Sequence, residues 1–323
     1  MDTLITGGAG FIGSHLAERL IADGHRVSVL DDLSTGAMRN IDHLAGSPDF
    51  SHRIGSVTDE ALVGEMVDRA DTVFHLAAAV GVKLIVESPT RTIETNVRGT
   101  EVVLQAAAKK GKLVVIASSS EVYGKGVKLP YAEDDDLLLG PTTKSRWGYA
   151  CSKAIDEYLA LAYAREQDLP VIITRFFNTV GTRQTGRYGM VIPSFVRQGL
   201  AGEDITVYGT GEQNRCFADV ADVVECLLRL VAAEGTRSQV FNVGSDAEIS
   251  INQLAELVRE RTGGRSRITH VPYEEAYAEG FEDLLRRIPD LRKLEASIDY
   301  RPRTPIEEIV DRVIAHTKGH GAP

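Results

Sequence analysis

Three glycines, Gly7, Gly10 and Gly13, follow the β-branched run Thr3-Leu4-Ile5-Thr6 at G-x-x-G-x-x-G spacing. They open a helical pattern with Phe11, Ile12, Leu16, Ala17 and Leu20 on one face. In such a strand–turn–helix unit the first glycine permits the tight turn. The second lets backbone approach a pyrophosphate, and the third lets helix and strand pack closely. The helix N-terminus adds unpaired N–H groups and the positive end of a dipole. A second strand pattern, Arg26-Val27-Ser28-Val29-Leu30, ends at Asp31-Asp32. That is where a carboxylate meets the adenosine ribose of a dinucleotide, and its charge disfavours a 2′-phosphate, so NAD is expected rather than NADP. A glycine triplet alone says little; the ordered set of strand, glycines, helix, strand and acid specifies a dinucleotide site.

The 323 residues can bury one large core or two modest ones. A net charge of −10 argues against nucleic acid as a partner. No apolar run reaches the ~20 residues that cross a bilayer, so no membrane partner is expected. The first strand pattern starts at the N-terminus, so no leader is expected. Cys151, Cys216 and Cys226 form neither a disulfide framework nor a metal spacing and read as reduced thiols of a cytoplasmic protein. The eight histidines form no ligand motif, and no metal site is expected.

Short apolar strands alternate with helical patterns to about residue 180. The strands are expected at 3–6, 26–30, 52–54, 72–76, 113–118 and 171–175. The helices are expected at 14–23, 58–68, 93–110 and 149–167. This rhythm predicts an α/β fold, a Rossmann-type doubly wound parallel sheet with right-handed crossovers. Beyond Asn178 the pattern loosens into a smaller, mixed α/β C-terminal substrate domain. Its helices are expected at 191–201, 220–233 and 251–262, and its strands at 204–208 and 239–243. The division is 1–178 for the nucleotide, completed by part of 215–245, then 179–315 for the substrate and a frayed tail at 316–323. The run Glu133-Asp134-Asp135-Asp136 reads as a solvated loop.

Tyr149 and Lys153 form Y-x-x-x-K within a helical pattern, which places both on one face. An ammonium beside a phenol favours the phenolate, giving a base that can deprotonate an alcohol as hydride leaves. Upstream, the strand at 113–118 ends in Ser118-Ser119-Ser120-Glu121-Val122-Tyr123-Gly124, and ligands of open α/β sheets sit at such strand ends.

These segments, with His75-Leu76-Ala77-Ala78, Asn96-Val97-Arg98-Gly99-Thr100, Arg175–Arg183 and Val207–Gly211 followed by Arg215, resemble the extended short-chain dehydrogenase/reductases that modify nucleotide sugars. The resemblance covers essentially the whole chain. It implies tightly held NAD and transient oxidation at C4 of the sugar. Ser119, Tyr149 and Lys153 become the catalytic set, with Glu121 as a further candidate. Around the cofactor it implies the glycine loop with Phe11 and Ile12, the acids Asp31 and Asp32, Ser56 and Val57, Leu76 to Ala78, Asn96, Ser118, Tyr149, Lys153 and Phe176. Toward the substrate it implies Ser119, Ser120 and Asn178, with Val191, Thr206 and Tyr208, and the cations Arg183, Arg215 and Arg287 for a diphosphate. Arginine suits that role because its planar fork binds phosphate oxygens in pairs. Two positions depart from the family. Ser56 stands where an Asp usually contacts adenine, and Thr182 replaces the Pro before Arg183.

Two resemblances compete over the reaction. Val80-Gly81-Val82-Lys83-Leu84-Ile85-Val86-Glu87-Ser88-Pro89 resembles a loop of UDP-glucuronate 4-epimerases, with Val80 and Lys83 toward the sugar. Ser119-Ser120-Glu121 and the stretch Gly140-Pro141 to Lys153, which includes Lys144-Ser145-Arg146-Trp147-Gly148-Tyr149, resemble UDP-glucuronate decarboxylases. Both imply a UDP-hexuronate and a C4 ketone. The sequence reading leans to 4-epimerase, with decarboxylase beside it and 4,6-dehydratase behind. A non-catalytic NAD-dependent sensor is the alternative of another class. A homodimer is expected through the helices at 93–110 and 149–167.

Overall fold

A computed structural model describes residues 1–79, 88–186, 190–272 and 286–320. Seven parallel strands form its central sheet: β1 (Asp2–Thr6), β2 (Arg26–Asp31), β3 (Phe50–Ile54), β4 (Thr72–His75), β5 (Leu113–Ser119), β6 (Val171–Phe176) and β11 (Gln239–Val243). Their order is β11-β6-β5-β4-β1-β2-β3. The expected Rossmann-type, doubly wound sheet is thus observed.

Side chains alternate across each strand, and the two faces feed two cores. Leu4 and Ile5 show the principle. Ile5 joins Val29, Phe74, Val115, Ile172 and Phe241 against α1 (Phe11–Ala22), α6 (Val220–Ala232) and α8 (Arg292–Ile298). Leu4 joins Val73, Val114, Ile116, Val171 and Ile173 against α2 (Glu60–Asp68), α3 (Pro89–Ala108) and α4 (Arg146–Gln167). Each fully buried aliphatic side chain contributes roughly 2 kcal/mol, so a charge at Leu4 would open the second core.

A third core joins α5 (Val191–Ala201), β8 (Ile205–Tyr208), α7 (Ile251–Arg261) and α9 (Ile306–His320) through Ile192, Phe195, Val207, Leu254, Val258 and Ile309. Here β8 pairs with β13 (Ile268–Val271) in parallel. Short pairs link β7 (Thr179–Val180) to β10 (Ala218–Asp219) and β9 (Asn214–Cys216) to β12 (Glu248–Ser250). Among the described residues, no helix is long and apolar enough to cross a membrane.

Two expectations need correction. The tail was expected to fray from residue 316, but α9 continues to His320, because Ile309, Val310, Val313 and Ile314 bury one face in the third core. The acidic run is only partly solvated. Glu133 Oε1 accepts the Asn242 N–H at 2.8 Å. Asp135 accepts from Lys128 Nζ and the Ala132 N–H, both at 2.8 Å. The Asn242 bond anchors this loop to the edge of the sheet.

Candidate active site

Parallel strands bring their C-terminal ends to one edge. There Gly7 follows β1, Asp31 ends β2, Leu76-Ala77-Ala78 follow β4, Ser119 ends β5 and Phe176 ends β6. Gly7 has φ +73°, and a Cβ on it would lie 2.7 Å from the Ala77 nitrogen; one on Gly13 would lie 2.3 Å from the Gly7 carbonyl oxygen. Only glycine fits either place. No side chain caps the first turn of α1, which Gly10 precedes; an anion suits such N–H groups. The nearly buried Asp31 accepts the Ala9 N–H at 2.9 Å and the Leu33 N–H at 2.8 Å, so it fixes the glycine loop from β2. Burial pushes its carboxyl up, and those donors oppose the shift. Asp32 accepts the Ser34 N–H at 2.9 Å. These residues fit a dinucleotide: backbone donors for the pyrophosphate and a carboxylate at the ribose position.

The other cofactor candidates lie at varied places. Ser56 closes a local turn with the Thr58 hydroxyl at 2.8 Å, and Val57 packs in the second core. Asn96 accepts the Ala79 N–H at 2.8 Å and donates to Ser152 at 3.2 Å, tying the loop after β4 to α4. Ser118 and Ser119 point to opposite faces of β5, and the Ser118 hydroxyl donates to Glu157. Glu157 is itself ion-paired with Arg175 at 2.7 Å. The Ser118 side chain therefore belongs to that buried pair rather than to the cofactor cleft.

Tyr149 and Lys153 are both buried, 7% and 2% exposed. The pKa of the Tyr149 phenol is raised first by burial and next by the charge of Glu121, against the lowering effect of the Ser119 hydroxyl. Lys153 has a partner that the sequence reading did not name. Its ammonium donates to Asp156 Oδ2 at 3.1 Å, one turn along α4. The phenol therefore lacks the undivided cation that Y-x-x-x-K spacing implied.

Glu121 lies between two guanidinium groups. Arg146 reaches it at 3.2 Å from the start of α4, and Arg287 reaches it from the segment before α8. Burial alone would raise the carboxyl, but Arg287 and Arg146 outweigh it and hold Glu121 below its ordinary value. Glu121 is thus a carboxylate and not a proton donor. Arg287, expected on a diphosphate, is tied to this carboxylate instead.

The remaining substrate candidates divide. Ser120 is buried at the turn after β5. Asn178 Nδ2 donates to the Cys216 carbonyl at 3.0 Å, which fixes β9 rather than presenting that nitrogen to ligand. Arg183 pairs with Glu18 of α1 at 2.6 Å, so its expected phosphate role meets a competing carboxylate. Val191 opens α5, and Thr206 bonds Gln198 at 3.2 Å. Tyr208 ends β8 at the surface, and the nearly buried Arg215 donates to the Asn214 carbonyl at 2.8 Å. Val80 and Lys83 lie outside the described residues. Sequence reasoning missed Arg146 and Asp156 as site residues. The Arg146-Trp147 pair just ahead of Tyr149 was a signal for the first; nothing in the spacing marked the second.

The NAD dependent epimerase/dehydratase family model matches residues 3–244. Over 306 residues the chain is 45% identical to a UDP-N-acetyl-alpha-D-glucosaminuronate decarboxylase of Bacillus cytotoxicus, covering 94% of each sequence. It is 34% identical to UDP-glucuronic acid decarboxylase 1 of Xenopus tropicalis, over 96% of this chain and 70% of the relative. The UDP-glucose 4-epimerase of Thermotoga maritima, solved with UDP-glucose, superposes with a TM-score of 0.88 at 31% identity, covering 99% of both chains. The chain belongs to the NAD-dependent epimerase/dehydratase family of extended short-chain dehydrogenase/reductases, enzymes of nucleotide sugars.

Proposed function

We propose that the protein is an NAD-dependent decarboxylase of a UDP-activated hexuronate, with UDP-glucuronate and its 2-acetamido analogue as the substrates to test. The observation that carries this reading is Glu121, held as an anion between Arg146 and Arg287 beside Tyr149. The decarboxylase relatives support it, and the sequence lean toward epimerisation gives way to it. A uronate epimerase must retain the sugar carboxylate and profits from a free cation to pin it. Here two guanidiniums near the phenol are already neutralised by Glu121, which favours loss of the carboxylate.

NAD, held by the glycine loop of Gly7, Gly10 and Gly13 with Asp31, would supply a reversible hydride acceptor at C4. Tyr149 takes the C4 hydroxyl proton, and Ser119 bridges phenol and sugar oxygen. The resulting 4-keto uronate is a β-keto acid. Its C5–C6 bond breaks, CO2 leaves, and the electron pair passes into the C4 carbonyl as an enolate. The protonated Tyr149 and Ser119 stabilise that oxygen by hydrogen bonds. A proton from solvent water then adds at C5, and Tyr149 finally protonates the C4 oxygen to restore the alcohol.

In this reading, residues 1–178 with β11 hold the cofactor, and residues 179–315 hold the nucleotide sugar. We also propose a cytoplasmic homodimer. The exposed Ile93 of α3 and Ile155 and Tyr158 of α4 offer the contact, and three unlinked cysteines suit a reducing compartment. NMR of the sugar after incubation with NAD tests the reaction. A UDP-pentose or its 4-keto form supports decarboxylation, and a C4-inverted uronate overturns it.

A further inference from the structure

A buried polar chain runs behind the reacting phenol. Lys153 and Asp156 have side chains 2% and 0% exposed. The second carboxylate oxygen of Asp156 is buried without a close hydrogen bond, and the Thr100 hydroxyl of α3 lies near the Asp156 carboxyl group. Thr100 Oγ1 lies 3.1 Å from His75 Nε2, and His75 Nδ1 lies 2.8 Å from Thr6 Oγ1. Thr6 also accepts the Ala77 N–H at 3.3 Å.

Thr6 accepts from Ala77 and keeps its proton and a second lone pair for His75 Nδ1, so either ring tautomer fits this bond. His75 is neutral, since burial first and the Lys153 charge second lower its pKa to about 3. Its one ring proton serves one of the two threonines, and the other ring nitrogen accepts from the second. The path starts at Thr6 and Ala77, the residues that flank the glycine loop, and ends at the Lys153 ammonium. A buried ion pair is a poor stabiliser compared with apolar packing, which argues for a task beyond stability.

We infer that Asp156 is a positioning residue for Lys153, anchoring its ammonium behind Tyr149 and linking it through Thr100, His75 and Thr6 to the strands that carry the cofactor loops. The inference rests on Tyr149 and Lys153 being the reacting pair, as proposed above. The charged groups facing the phenol are Glu121 from the turn after β5, Arg287 from the segment before α8, and Asp156 of α4. Removing the Asp156 charge takes away the ammonium's anchor and one anion that raises the pKa of the phenol.

The test compares holoenzyme of wild type, Asp156→Asn and Thr100→Val with UDP-glucuronate and its 2-acetamido analogue. In Asp156→Asn the acid limb of log kcat/KM should move to lower pH by about one unit, because the phenolate then forms more readily. Thr100→Val should lower kcat several-fold with KM unmoved. It keeps the ion pair, so it decides the matter if Asp156→Asn does not fold. A purely structural role would lower Tm and leave limb and kcat in place, and that result overturns the inference. A substrate-free readout separates the two proposals. With 15N-lysine labelling, the Lys153 ammonium, assigned with Lys153→Met, should be slowly exchanging in wild type and lost in Asp156→Asn. A wild type that turns over neither uronate defeats the decarboxylase reading, while an ammonium signal unchanged in Asp156→Asn defeats this one.

Discussion

Arg287 pairs with Glu121 across 166 positions of chain, drawing the segment before α8 onto the turn that follows β5. With Arg146 it favours the charged form of the carboxylate beside Tyr149. Glu121→Gln should therefore destabilise the protein by about 3 kcal/mol, because two partly buried guanidiniums lose their counter-charge. Urea denaturation at neutral pH measures this. The folded pKa of Glu121 is depressed, so its stabilisation is complete above the ordinary value near 4.5 and is lost as pH falls through the folded value. The variant should lack that acid-side loss; equal stability of the two proteins at neutral pH would contradict the pairing.

His75 gives a separate pH signature. Its folded pKa, about 3, lies below the ordinary 6.5. Between these values the unfolded chain binds a proton that the folded protein does not. Stability should decline as pH falls through that window, by up to ~1.4 kcal/mol per unit from this residue. His75→Gln should flatten the profile in the same window. Parallel profiles for the two proteins would show that His75 is not held neutral.

The glycine loop is tested by Gly13→Ala. The added Cβ would fall 2.3 Å from the Gly7 carbonyl oxygen, so the loop must shift. NAD affinity by calorimetry should drop at least about tenfold, or ~1.4 kcal/mol. Gly46→Ala, where a Cβ meets nothing within 4 Å, serves as the control and should bind as wild type does.

The sequence made the architecture readable because its cues are local. Buried parallel strands are continuous apolar runs, and the glycine loop needs its residues side by side. The pairing of charges was not local. Y-x-x-x-K placed Tyr149 and Lys153 on one face, yet the ammonium found Asp156, a partner that helix spacing allows without requiring. Arg287 looked like a diphosphate ligand because an arginine fork fits phosphate and carboxylate alike, and only the fold shows that it meets Glu121. Glu133 looked solvated within its acidic run, but tertiary contact gave one of its oxygens the Asn242 N–H. The helix α9 escaped notice because its apolar stripe of Ile309, Val310, Val313 and Ile314 sits in a segment rich in charge.

The central claim is loss of the sugar carboxylate after oxidation that Tyr149 initiates. UDP-glucuronate and its 2-acetamido analogue, each labelled with 13C at C6, incubated with NAD and the protein, give the most direct measurement. The account expects 13CO2 from at least one of them, with Tyr149→Phe slower by about a thousandfold while NAD binding persists. Retention of all the label in a UDP-hexuronate, with wild type fully active, would contradict it.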